Sequence, residues 1–228
     1  MIKIALDGPS ASGKSSVAKI IAKELGIVYV DTGALYRTVG YYVRSKNVDP
    51  KDAEGVTALL PEIRIEVKYE GGVQCVYLNG ENLGDKIRQP EISMYASAVS
   101  AIPSVRSFLL ETQKSIAREN SVVMDGRDIG TVILPDADVK VFMSASNEAR
   151  AERRYKELCA KGVEVKYEDV LAEMIERDKN DSSRAVAPAV PADDAVLFDN
   201  SGYDLEQSVE YILDLIEKKT GIGRGGNP

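Results

Sequence analysis

Residues 8 to 15 read Gly8-Pro9-Ser10-Ala11-Ser12-Gly13-Lys14-Ser15, which fits the pattern G-x-x-x-x-G-K-[ST]. Each residue type has a task at that spacing. The glycines let the backbone turn its N–H groups inward around phosphate oxygens. Lys14 can reach the β/γ-phosphates, and the Ser15 hydroxyl can ligate Mg²⁺. A helix starting here would also direct its positive N-terminal end at the same anion. The context agrees: an apolar strand (Ile2–Leu6) precedes the loop and a helical pattern follows it. Gly8, Pro9, Ser10, Ala11, Ser12, Gly13, Lys14, Ser15 and Ser16 are therefore the candidate nucleotide-binding residues, and Ser15 is the candidate metal ligand.

A second set of residues suggests what receives the phosphoryl group. Asp31-Thr32-Gly33-Ala34-Leu35-Tyr36-Arg37 follows one strand signal, and Asp125-Gly126-Arg127-Asp128 follows another. Both lie at the carboxyl ends of strands, where α/β folds bind ligands. Arg150, Arg153 and Arg154 fall on one helical face, as do Arg177, Asp181 and Arg184 if their helix persists that far. Scattered arginines suit phosphoryl transfer, because charge spreads over the equatorial oxygens of the group in flight. The chain has no histidine. A phosphate acceptor is its own anionic nucleophile and needs no imidazole base; an alcohol acceptor would need a base such as Asp128.

The elements that must position these groups can be read from the apolar pattern. Ser15 to Leu25 has helical spacing at Val17, Ile20, Ile21 and Leu25, with Gly26 to end it. Val28–Val30, Val122–Met124, Val139–Met143 and Val196–Phe198 read as buried strands with helical segments between them. Alternating strands and helices predict a doubly wound α/β fold with a parallel sheet. One stretch departs from that pattern. Ile63, Ile65, Val67 and Tyr69 alternate with charged residues, followed by Gly71-Gly72, the run Val73–Leu78 and Asn79-Gly80. This predicts a small antiparallel ribbon inserted in the α/β order. Residues 221–228 read as a frayed tail.

Composition bounds the rest. The chain has 228 residues, 29 Lys+Arg against 36 Asp+Glu and a net charge of −7, with 44% hydrophobic residues. It is large enough for one core with an insert. The acidic balance argues against a nucleic-acid partner. No apolar run approaches a membrane span. Neither a signal peptide nor a metal spacing of the two cysteines is visible, which predicts a cytoplasmic chain with reduced thiols. A zinc site and a histidine-based triad are disfavoured, and Asp178-Lys179-Asn180-Asp181 does not match the N-K-x-D base reader of a GTPase. No apolar stripe beyond core needs is evident, so a monomer is expected.

These segments together resemble the bacterial cytidylate kinases, P-loop nucleoside monophosphate kinases. The resemblance rests on Asp7–Ser10 with Gly13-Lys14-Ser15, Asp31–Arg37, Ala96-Ser97 before Pro103-Ser104-Val105-Arg106, Asp125–Val132, Pro135-Asp136-Ala137, and Glu176-Arg177-Asp178 before Arg184–Pro188. It implies a P-loop NTPase-type three-layer fold with a five-stranded parallel sheet, a β insert in the monophosphate-binding region and a helical lid. The implied domain is a single one over 1–228. Its core is about 1–35, 85–145 and 185–220, its monophosphate-binding region 36–105 with the insert at 61–84, and its lid 146–178. The implied reaction is transfer from ATP, with Mg²⁺, to CMP or dCMP. Other acceptors such as UMP, and a non-catalytic ATP-binding regulator, remain alternatives.

Residue by residue, the resemblance makes Thr32 and Arg37 ligands of the acceptor phosphate, and Ser97, Arg106 and Asp128 readers of the cytosine edge. Arg127 and Arg184 fall near the phosphates, and Arg177 with Asp181 near the acceptor sugar and phosphate. Lys14, Arg127, Arg153, Arg154 and Arg184 are the implied catalytic groups. Structural alternatives stand beside these roles. Thr32 could cap a helix, Ser97 could only pack, the Arg153–Arg154 face could be an i,i+4 partner for Glu157, Arg177 with Asp181 could be a plain helical ion pair, and Asp125 could either assist a metal or simply end a strand.

Overall fold

The computed structural model describes residues 1–225, so residues 226–228 of the expected tail lie outside the described residues. In chain order the elements are β1 (Lys3–Asp7), α1 (Lys14–Leu25), β2 (Val28–Asp31), α2 (Thr32–Ser45), α3 (Ala53–Leu59), β3 (Ile65–Glu70), β4 (Val73–Leu78), β5 (Glu81–Asn82), α4 (Pro90–Val99) and α5 (Pro103–Glu119). Then follow β6 (Val122–Gly126), β7 (Val139–Ser144), α6 (Asn147–Ala160), α7 (Tyr167–Ser182), β8 (Val196–Asp199) and α8 (Leu205–Thr220). The main sheet has five strands in the order β2-β6-β1-β7-β8, and a second has three, β3-β4-β5. The chain divides into two compact units, Met1–Ile27 with Ser121–Pro228, and Val28–Asn120.

In the first unit β1 pairs in parallel with β6 and with β7, and β7 pairs in parallel with β8. Ile4, Leu6, Val123, Met124, Val139 and Met143 are fully or almost fully buried. Central parallel strands are covered on both faces, which is why their sequences read as continuous apolar runs rather than alternating ones. Each strand extends to a polar or small residue at its carboxyl end, as at Asp7, Gly126, Ser144 and Asp199. Those ends start the loops that carry the chemistry. Helix α1 starts at Lys14 and ends at Gly26, whose φ of 66° only glycine adopts without cost. Helices α6 and α7 form a pair around Ala151, Leu158, Val170 and Met174.

The second unit carries the ribbon. Strands β3 and β4 pair antiparallel from Ile65↔Leu78 to Glu70↔Val73, so the turn falls at Gly71-Gly72. Both glycines have positive φ, as such a turn requires. A short third strand, β5, adds to β4. The core of this unit joins Leu35, Val39 and Val43 of α2 to Ile92 and Val99 of α4, Val105 and Leu109 of α5, and Val76 and Leu78 of the ribbon. Helices α2 and α4 approach closely at Gly40, where a Cβ would lie 2.9 Å from the Ala96 nitrogen.

Candidate active site

The phosphate loop is shaped by unusual backbone angles. Gly8 has φ +147°, and a Cβ there would lie 2.0 Å from the Met143 carbonyl oxygen, so no side chain fits. Ala11 has φ +55° and Gly13 +91°. A non-glycine residue held in the left-handed region costs of order 1–3 kcal/mol, and such strain concentrates at functional sites. Residues that alternate in handedness turn successive N–H groups into one concavity, which suits an anion. The Ser12 hydroxyl is buried without a hydrogen-bond partner.

Lys14 is buried and its Nζ donates to the Pro9 carbonyl at 2.8 Å. Burial, with Arg127 nearby, pulls its pKa down to about 7. Ser15 Oγ donates to Asp125 Oδ2 at 2.6 Å, and Asp125 itself is buried at the end of β6. Asp125 thus lies near the end of β6 and also accepts from the loop hydroxyl. A hydroxyl and a carboxylate are hard oxygen donors of the kind Mg²⁺ takes. No group of three or more metal-binding side chains exists among the described residues.

Around this loop lies a cationic cluster. Arg127 Nε donates to Asp181 Oδ2 at 3.0 Å, and Arg184 Nε to the Asp181 carbonyl at 3.1 Å. Burial alone would raise the Asp181 pKa, but Arg127, Arg184 and Arg177 together hold it below the usual carboxylate range. Lys14 feels Arg127 and Arg177 as like charges. Four cations thus surround two buried acids, Asp125 and Asp181, and a dianionic phosphate would relieve their repulsion. Helix α7 ends at Ser182, so Arg184 lies beyond it and reaches Asp181 by a turn in the chain. The shared helical face expected for Arg177, Asp181 and Arg184 therefore extends only over the first two.

The arginines of α6 separate into distinct environments. Arg150, expected with its neighbours to face phosphate, is 4% exposed and bonded to protein. Its guanidinium donates to the carbonyls of Ala145 and Ser10, to Asn147 Oδ1 at 2.6 Å, and to Asp178. Arg153 donates to the Asn200 carbonyl at 2.8 Å and to its Oδ1 at 3.2 Å. Asn200 in turn donates to the Ser12 carbonyl at 2.9 Å. Glu157, considered as an i,i+4 partner for the Arg153–Arg154 face, pairs with Arg154 at i,i+3 and 2.9 Å, while Arg153 turns to Asn200.

In the second unit Asp31, not Thr32, caps α2 by accepting from Ala34 N at 2.9 Å. Thr32 is buried. Arg37 pairs with Asp31 at 2.7 Å, while its buried Nε donates to no protein atom. Arg106 is buried, donates to the Ser100 carbonyl at 2.9 Å, and lies with its guanidinium carbon 5.4 Å from the Tyr36 ring centre. Ser97 lies in α4, and its carbonyl accepts from Ser100 Oγ.

A profile of the family described as cytidylate kinase matches residues 4–218. The chain belongs to the cytidylate kinase family. A cytidylate kinase of Fervidobacterium nodosum is 51% identical over 220 residues, which is 96% of this chain and 98% of that one. One of Caldicellulosiruptor saccharolyticus is 44% identical over 220 residues, 96% of this chain and 97% of that one. Among solved structures, an uncharacterized protein from Eubacterium ventriosum matches with a TM-score of 0.50 at 15% identity, over 95% of this chain and 99% of that one. That likeness concerns the fold. Membership in a family of kinases makes the chain an enzyme.

Several residues around this candidate site were given no role by the sequence, although Asp7 and Asp178 lie in segments that carry the resemblance. Asp7 ends β1 and accepts two backbone N–H groups. Asn200 and the Arg150–Asp178 pair hold Ser12 and Ser10 from outside the loop. The sequence gives one hint for Asp7 and Asn200: each lies where a predicted strand ends.

Proposed function

We propose that this member of the cytidylate kinase family transfers the γ-phosphoryl group of ATP to the 5′-phosphate of CMP or dCMP, giving CDP or dCDP and ADP. The observation that carries this reading is the gathering of Lys14, Arg127, Arg177 and Arg184 around Asp125 and Asp181 beside the phosphate loop. Gly8 to Ser16 would cradle the donor phosphates. Ser15, with Asp125 behind it, would hold Mg²⁺, which would neutralise charge on the donor. An oxygen of the acceptor phosphate attacks the γ-phosphorus as the bond to the β–γ bridging oxygen breaks, and ADP leaves. Lys14, Arg127 and Arg184 neutralise the charge spread over the equatorial oxygens.

Thr32 and Arg37 would bind the acceptor phosphate, and the buried, unpartnered Arg37 Nε suits that role. Arg177 and Asp181 would orient the acceptor sugar and phosphate. Ser97, Arg106 and Asp128 would read cytosine, whose N4 amino group donates and whose O2 and N3 accept. Arg153 and Arg154 belong to a lid over 146–178 that closes to exclude water. The chain acts as a monomer in the cytoplasm; its free Cys75 and Cys159 suit a reducing compartment. No helix among the described residues is long and apolar enough to cross a membrane.

The test is ADP release with a panel of nucleoside monophosphates. CMP and dCMP should turn over best, and faster AMP or GMP turnover would overturn the acceptor assignment. Asp128→Ala should lose most of the preference for CMP over UMP, and an unchanged preference would remove Asp128 from base reading.

A further inference from the structure

The segment that carries Arg127 and Asp128 runs into an open helical turn over Ile129–Ile133. Asp128 occupies the position before that turn, where an aspartate ordinarily caps with its own side chain. It does not do so here. The cap comes instead from 121 residues earlier in the chain. Asp7 accepts from Ile129 N through Oδ1 at 2.8 Å, and from Gly130 N through Oδ2 at 2.7 Å. Both oxygens of a buried carboxylate are thereby committed to two consecutive backbone N–H groups. Gly130 is closely surrounded: a Cβ there would touch Asp7 Oδ2 at 3.4 Å and crowd the Lys140 stem at 3.2 Å.

We propose that Asp7 is a positioning residue for acceptor specificity: by capping the 129–133 turn in place of Asp128, it relieves Asp128 of that role and fixes the direction in which the Asp128 carboxylate meets the base. The proposal rests on the reading of Asp128 as a cytosine reader. It needs the ionised carboxylate, because a protonated Asp7 presents an O–H to one of the two N–H donors and loses that bond. Burial, with the negative charge of Asp128, raises the Asp7 pKa to about 6, against the two N–H bonds and the Lys14 charge that lower it. Lys140, whose stem packs on Gly130, is held by the Pro135 carbonyl and by Asp194. The cap is therefore complete at neutral pH and half lost near pH 6.

The experiment measures the ratio of the KM for UMP to the KM for CMP between pH 5.5 and 8, in the full chain and in Asp7→Asn. The ratio cancels titration of the phosphate that both substrates share. The wild-type ratio should fall about tenfold as pH drops through 6, the scale expected for one buried donor left without its acceptor. In Asp7→Asn it should be about tenfold lower at pH 8 and flat with pH, while the KM for ATP stays within about twofold. A wild-type ratio that is flat, a variant that keeps the wild-type ratio or its pH step, or an equal rise in the KM for ATP would each overturn the proposal. Should Asp7→Asn fail to fold, ¹⁵N-labelled wild type decides. The Ile129 and Gly130 amide resonances should titrate together with the midpoint of the ratio, and resonances that do not move would overturn it. If wild type shows no preference for CMP at pH 8 while those amides still titrate, the base-reading assignment falls and the cap stands.

Discussion

At the residue scale, Gly8 marks the limit of what the phosphate loop tolerates. A methyl group there would overlap the Met143 backbone, which cannot rotate aside. Gly8→Ala should cost about 3 kcal/mol or more of stability and abolish nucleotide binding, read by thermal melts and by titration with ATP. Lys14→Met keeps the buried stem and removes only the charge, so kcat should fall about 10²–10³-fold with little loss of melting temperature. Asp7 gives a pH signature of its own. Its pKa is raised in the folded state, so it favours folding most below its unfolded value, near 4. That contribution is lost as pH rises through about 6. The shift from 3.8 to about 6 corresponds to about 3 kcal/mol. Asp7→Asn should flatten the stability curve between pH 4 and 7, measured by denaturant melts; an unchanged slope would assign that titration elsewhere.

At the element scale, α6 shows how one periodic pattern serves different ends. The spacing of Arg150, Arg153 and Arg154 puts them on one face, but depth along that face differs. Arg150 is 4% exposed and ties Ser10 to Asp178 of α7, whereas Arg154 pairs with Glu157 at the surface. Breaking a buried, charge-assisted hub is costly, while an exposed i,i+3 pair contributes little. Arg150→Ala should therefore lose about 3 kcal/mol of stability by chemical denaturation. Arg154→Ala should lose under ~1 kcal/mol. If Arg154 also serves the transition state, its kcat should fall at least about tenfold with an unchanged melting temperature; unaltered turnover would leave it only the Glu157 pair. Much at this scale was legible in the sequence. The β1–α1 unit, the Gly71-Gly72 turn and the later strands lie within a residue or two of their expected places, because apolar period and glycine placement are local signals. The end of α7 was not legible from spacing alone: the helix stops at Ser182, and Arg184 still meets Asp181 three residues back through a turn, a contact that a continued helix would also have placed within reach.

At the scale of the whole molecule, a net charge of −7 coexists with a concentrated cationic site. Long-range attraction for a polyanion should be absent, so the protein should not change the anisotropy of labelled single-stranded DNA at physiological salt. Measurable binding there would overturn that expectation. The amino-acid sequence alone determined the phosphate loop, the α/β order, the ribbon and the family, since each rests on residue types at fixed short spacings. Only the tertiary structure decided which polar groups support the loop and the turn at 129–133 beside it. Asp7 meets Ile129 and Gly130 across 122 and 123 residues, Asn200 meets Ser12 across 188, and Ser15 meets Asp125 across 110. Such pairs form because parallel strands bring their carboxyl ends together, where a buried polar group must find a partner wherever it lies in the chain. No spacing rule spans those distances, and the requirement that buried donors and acceptors be satisfied can be read only once the strands are in register.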